Sequence, residues 1–94
     1  MYALSFDLVI TDLKDNYKKG PYNNAYYEIK VLLKSIGFEW IQGSTYVTSN
    51  SDMGVLVKAI MELSKLDWFK KSVRDISGYK IEDWSNFTDI IKNA

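Results

Sequence analysis

The sequence predicts an α+β domain whose elements run strand, helix, strand, strand, helix, strand, followed by a short tail. Three observations carry this. Residues 2–10 alternate with period two, with every large apolar residue but Val9 on one side. Residues 22–36 and 53–66 repeat apolar positions at three- and four-residue steps. Two short β-rich runs meet at Gly43. At 94 residues, the expectation is one domain spanning 1–94.

Taken in order, Tyr2, Leu4, Phe6, Leu8 and Ile10 share one side of the first strand, and Ala3, Ser5, Asp7 and Val9 the other. Residues 11–21 turn polar and read as a loop punctuated by Asp15-Asn16 and Lys18-Lys19-Gly20-Pro21. Pro21 suits a first helical turn. From there Tyr22, Ala25, Tyr26, Ile29, Leu32, Leu33 and Ile36 form one face of a helix that Gly37 stops. Phe38–Ile41 and Thr45–Thr48 are the next two strands, joined through Gln42-Gly43-Ser44.

Ser49-Asn50-Ser51 offers caps for a second helix with Met53, Leu56, Val57, Ile60 and Leu63 on its apolar face. Asp67-Trp68-Phe69 reads as a short turn packed over the domain. Val73–Ile81 is the fourth strand, in which Ser77-Gly78 signals a bulge or a close backbone approach. In residues 83–94 Ser85 is a candidate cap for a turn carrying Phe87, Ile90 and Ile91, with helix and strand both open. Right-handed crossovers place both helices on one side of an antiparallel sheet, the ferredoxin-like split β-α-β-β-α-β arrangement. The other face must meet water or a partner.

Composition narrows the chemistry. The chain has no cysteine and no histidine, which excludes disulfides, thiolate metal sites and the usual general base. What remains is carboxylates, hydroxyls, lysines and a hard metal held by oxygen. Lys plus Arg equals Asp plus Glu at 12 each, so bulk charge does not argue for nucleic acid. No run approaches the roughly 20 apolar residues of a membrane span, and the expected setting is cytoplasmic. A content of 47% hydrophobic residues is hard to hide in so short a chain and points to a homo-oligomer.

Asp7 is the residue that needs a reason. The apolar stripe of the first strand must face the helices, which puts Asp7 and Ser5 on the uncovered face of a central strand. Aspartate is disfavoured there because it packs poorly on a pleated surface. Two readings are open. Asp7 is either half of an ion pair with Arg74 or Lys80 of the fourth strand, or a functional carboxylate. In the second case, two copies of Asp7 near a dyad could share a Mg²⁺ ion. The basic residues Lys70, Lys71 and Arg74 form one cluster beside Trp68 and Phe69. It is either a phosphate-binding surface with stacking aromatics or a solvated turn over buried ones. Ser44 is a turn residue whose position at the hairpin makes it a further candidate.

Five separated blocks then carry a resemblance: Met1–Leu4 with Phe6-Asp7-Leu8, Pro21–Tyr26, Gly37–Glu39 with Ile41–Val47, Trp68–Ile76 and Trp84–Ile90. Together they resemble the virulence-associated protein D (VapD) family, from Met1 to about Lys92. The resemblance implies a homodimeric endoribonuclease with a ferredoxin-like fold, in some members the toxin of a toxin–antitoxin pair. It extends more distantly to the small nuclease subunit of CRISPR adaptation complexes, where an Asp on the first strand and a Gln-x-Ser hairpin match Asp7, Gln42 and Ser44. It therefore implies Asp7 as catalytic or metal-binding, Ser44 as a second catalytic candidate, RNA as substrate, Mg²⁺ as an allowed cofactor and an antitoxin as a candidate partner. Lys70, Lys71 and Arg74 are the expected RNA contacts. Ser77 and Gly78 stand where the family is expected to be basic, which implies weaker or displaced RNA contacts there. The competing reading is a non-enzymatic homodimeric interaction module.

Overall fold

The computed structural model describes residues 1–94. Its elements are β1 (Tyr2–Leu8), α1 (Ile10–Asn16), α2 (Asn23–Ile36), β2 (Glu39–Gln42), β3 (Thr45–Thr48), α3 (Met53–Ser64), α4 (Asp67–Ser72), β4 (Val73–Lys80) and α5 (Thr88–Lys92). The strands form one four-stranded antiparallel sheet in the order β2-β3-β1-β4. This is the ferredoxin-like arrangement the alternating patterns predict, and β1 is central in it.

The period-two pattern of β1 decides the layering. Leu4, Phe6 and Leu8 enter the core, where they meet Ile29 and Leu33 of α2, Tyr46 of β3, and Ala59 and Leu63 of α3. Gly37 ends α2 with φ of 113°, and its N–H donates to the Leu33 carbonyl, the αL stop its position predicts. Gly43 turns the β2–β3 hairpin at φ of 49°.

Several expectations are corrected. The first strand ends at Leu8, and Ile10 opens helix α1 where a polar loop was expected. Only Leu13 of α1 is buried, so the segment has too few apolar residues to show a helical period. The expected turn at Asp67-Trp68-Phe69 is helix α4. It drives Trp68 edge-on against Tyr17 at 5.0 Å and Phe69 edge-on against Phe6 at 5.5 Å between ring centroids. The cap of α3 is Asp52, which accepts from the Gly54 N–H at 2.9 Å, rather than any of Ser49-Asn50-Ser51. Asn50 instead accepts from the Asp52 N–H at 2.8 Å, shaping the approach to the cap. In the tail, α5 forms from Thr88 to Lys92. Asn86, not Ser85, accepts from the first helical N–H.

The irregularity expected at Ser77-Gly78 falls elsewhere. Asp7 pairs with Asp75 and Leu8 with Val73, leaving Arg74 as the extra, bulged residue of β4. Gly78 lies in regular register opposite Leu4 and is approached by a side chain rather than a backbone. A Cβ there would stand 2.8 Å from Leu56 of α3.

The face opposite the helices holds a polar seam. Ser5 Oγ lies 3.1 Å from Thr45 Oγ1 and 2.9 Å from Tyr79 Oη. At the N-terminal end of β1, Ile81 and Trp84 close over Ala3, Ile41 and Val47. The other end, where Asp7 lies, stays open.

Candidate active site

Strand register gathers the site at one end of the sheet. Asp7 is the next-to-last residue of β1, and its antiparallel partner is Asp75, near the start of β4. Residues directly opposed in antiparallel strands project to the same face, with Cβ atoms about 4.5–5.5 Å apart. Two carboxylates therefore stand side by side on the helix-free face. Like charges so placed repel, and such a pair persists where something positive offsets it.

Arg74 is that offset. In an unbroken strand it would point away from Asp75, to the other face. The bulge removes this constraint, and its Nη1 comes to 3.5 Å from Asp7 Oδ2. The expected ion pair with β4 thus exists through Arg74, whereas Lys80 pairs in register with Tyr2 at the far end of the strand. The Asp7 and Arg74 side chains are 60% and 65% exposed, and an ion pair this wet contributes about 1 kcal/mol or less. It is too weak to explain by itself a carboxylate on a central strand.

The β2–β3 hairpin closes the site from the other side of β1. The Phe6 N–H donates to the Ser44 carbonyl at 3.2 Å, which ties Ser44 to the residue before Asp7. Tyr26 approaches from α2. Burial lifts its phenol above the usual 10.0, helped by Tyr22 and then by the negative charge of Asp7, so its hydroxyl stays protonated. Asp7, Asp75 and Arg74 thus share one end of the sheet, with Ser44 tied to it through Phe6.

The two lysines are placed differently. Lys71 Nζ is held 2.9 Å from Asp67 Oδ2 one turn back along α4. Lys70 borders a groove lined by Ile60, Leu63 and Ile76, beside α3. Trp68 and Phe69 are buried, so the aromatics beside these lysines are core residues and offer no stacking surface. Lys19, the other basic candidate region, pairs with Glu28 at 3.2 Å.

Asp75 is the site residue that sequence reasoning missed. Its only sequence signal would have been the antiparallel alignment of residues 73–80 against 2–8, read in reverse, and the bulge at Arg74 shifts that register by one. No group of three or more acidic, His or Cys residues is present to cage a metal. A carboxylate pair open to solvent is nevertheless a donor set that fits Mg²⁺, which is bound through one or two carboxylates and keeps several waters.

A ferredoxin-like α+β domain with an acidic pair at the open end of its central strand and the neighbouring edge strand is the class that fold and site define. No family model matches the chain. Relatives do. The chain is 55% identical to "Endoribonuclease VapD" of Dichelobacter nodosus over all 94 residues of both. It is 50% identical to the protein of that name from Helicobacter pylori, over 99% of this chain and all of the relative. It is 45% identical to that of Haemophilus influenzae over the same shares. The chain belongs to the VapD family.

Proposed function

We propose that the chain is an endoribonuclease whose scissile phosphate sits at the Asp7–Asp75 end of the sheet. One observation supports this above all: Asp7 and Asp75 are directly opposed on the open face, in a chain about half identical to proteins named endoribonucleases. Arg74 neutralises the phosphate, its fork geometry suiting two non-bridging oxygens. One carboxylate accepts the proton of the attacking hydroxyl, the P–O bond opposite the attacking oxygen breaks, and the departing oxygen takes a proton from water. Tyr26 stays a neutral phenol, and Ser44, tied by its carbonyl to Phe6, is the second catalytic candidate. Asp7 and Asp75 are the residues that would hold Mg²⁺, which supplies charge neutralisation on the phosphate when bound. Lys70 and Lys71 extend RNA contact along α4 and do not take part in the chemistry.

The active species we propose is a cytoplasmic homodimer, and an antitoxin protein is its candidate partner on the strength of family resemblance. The non-enzymatic interaction module stays in view because Trp84, Phe87, Ile90 and Ile91 of the tail are all exposed. A cleavage assay on a nuclease-free preparation, with and without EDTA, separates the two. Asp7→Asn and Asp75→Asn should each slow cleavage roughly 10²-fold or more while leaving the melting temperature near the parent value. Cleavage by Asp7→Asn at the parental rate sinks this reading. Loss on adding EDTA, reversed by Mg²⁺, would establish the metal.

A further inference from the structure

At the hairpin edge of the sheet, on its helix-covered face, lies a second feature that the phosphate chemistry leaves unused. Trp40 of β2 is 48% exposed, yet it is fixed: its indole N–H donates to the Gly43 carbonyl at 2.7 Å, setting the plane of the ring. Lys30 of α2 places its ammonium over the Trp40 ring, 4.9 Å from its centroid, so a base that stacks on this face moves the lysine aside. Tyr26 and Tyr27, one turn earlier on α2, complete a cleft with Gly43, Ser44 and Tyr46. Its volume is about 360 Å³, and Tyr27 is 70% exposed. An oriented indole and a phenol left in solvent beside a cation form the combination that binds single-stranded nucleic acid. Every base has a π-face, and the lysine serves the adjoining phosphate.

One wall of the cleft is tied to the strand that carries Asp7. Ser44 is bonded through its carbonyl to Phe6, the neighbour of Asp7. Trp40 shares the helix-covered face with Tyr46 and Leu4, and Asp7 the opposite face, so RNA engaging both passes around the hairpin tip at Ser44.

We propose that the cleft between Trp40, Tyr27 and Lys30 is a nucleobase-stacking subsite that takes one unpaired nucleotide of the bound RNA. This rests on the reading of the chain as an RNA-cleaving enzyme. It makes the enzyme selective for single-stranded RNA, since a paired base cannot offer both faces to the cleft, and tolerant of base identity.

The test uses the non-cleaving Asp7→Asn protein and a fluorescein-labelled eight-nucleotide single-stranded RNA, with binding read by anisotropy. Trp40→Ala and Tyr27→Ala in that background should each weaken binding roughly 5- to 100-fold, the range of one lost base stack. Trp40→Phe, which keeps a ring but loses the Gly43 bond, should recover most of the loss and so separates stacking from damage to the hairpin. A single abasic nucleotide walked along the RNA should cost a similar factor at one position only, and that cost should vanish in Trp40→Ala. Binding within twofold of the parent for both alanine variants, or an equal abasic penalty at every position, overturns the subsite. If wild-type protein cleaves RNA in either case, the Asp7 reading survives alone. If the Asp7→Asn protein fails to bind RNA and the wild type fails to cleave it, both fall together.

Discussion

Arg74 occupies the extra position of the β4 bulge, and that one-residue irregularity decides which face its guanidinium reaches. Because the Asp7–Arg74 pair is exposed on both sides, removing it costs little stability. Arg74→Ala should shift unfolding by less than about 1 kcal/mol in a denaturant titration while cutting RNA cleavage strongly. Arg74→Lys keeps the charge but not the fork and should restore only part of the rate. If the residue served only to relieve Asp7–Asp75 repulsion, stability would fall and activity would follow it in proportion. At this scale Asp7 was legible from the sequence because a charge interrupts an otherwise consistent strand pattern. Asp75 was not, since nothing local distinguishes it from a solvated strand residue. It acquires meaning from a partner 68 positions away, by the register that joins Asp7 to Asp75.

The elements that were legible are those with enough repeats to show a period. The face of α2 is one case, with Ala25, Ile29 and Leu33 buried, and the β1 alternation is another. Helices α1 and α4 escaped because one is mostly polar and the other has six residues, less than two turns. Their stability comes from packing Leu13, Tyr17, Trp68 and Phe69 onto the core, which local spacing cannot reveal. The contact of α3 with β4 gives a test at the same scale. Gly78 lets Leu56 settle on the strand, and a Cβ there would lie 2.8, 3.0 and 3.2 Å from three Leu56 carbons. Gly78→Ala should therefore destabilise by about 1–3 kcal/mol through overpacking, despite the alanine's better fit to a strand. Trimming the opposing side chain in Gly78→Ala/Leu56→Val should cost less than the sum of the two single changes. Strict additivity in chemical denaturation would show that Leu56 simply rotates away.

The molecule as a whole leaves much apolar surface uncovered: 19 of 94 residues are buried, against a hydrophobic content of 47%. Part of it lies in the tail, where Trp84, Phe87, Ile90 and Ile91 are 42%, 63%, 66% and 73% exposed. Helix α5 has five residues, none of them buried. A helix that short is not stable in water alone, because nucleation costs more than one turn of hydrogen bonds returns. Its order therefore calls for a surface to lie on, and a second copy of the chain is the surface always present. Sedimentation equilibrium of the wild type should accordingly return twice the 10.9 kDa chain mass at micromolar concentration. Phe87→Glu/Ile91→Glu should return the single-chain mass with its circular dichroism little changed, since neither residue touches the core. Should the double variant stay dimeric, the tail is not the contact, and the open sheet face around Tyr79 becomes the surface to alter next. A wild type that remains monomeric at high micromolar concentration would remove the dimer from the mechanism and leave Asp7 and Asp75 of one chain to act on their own.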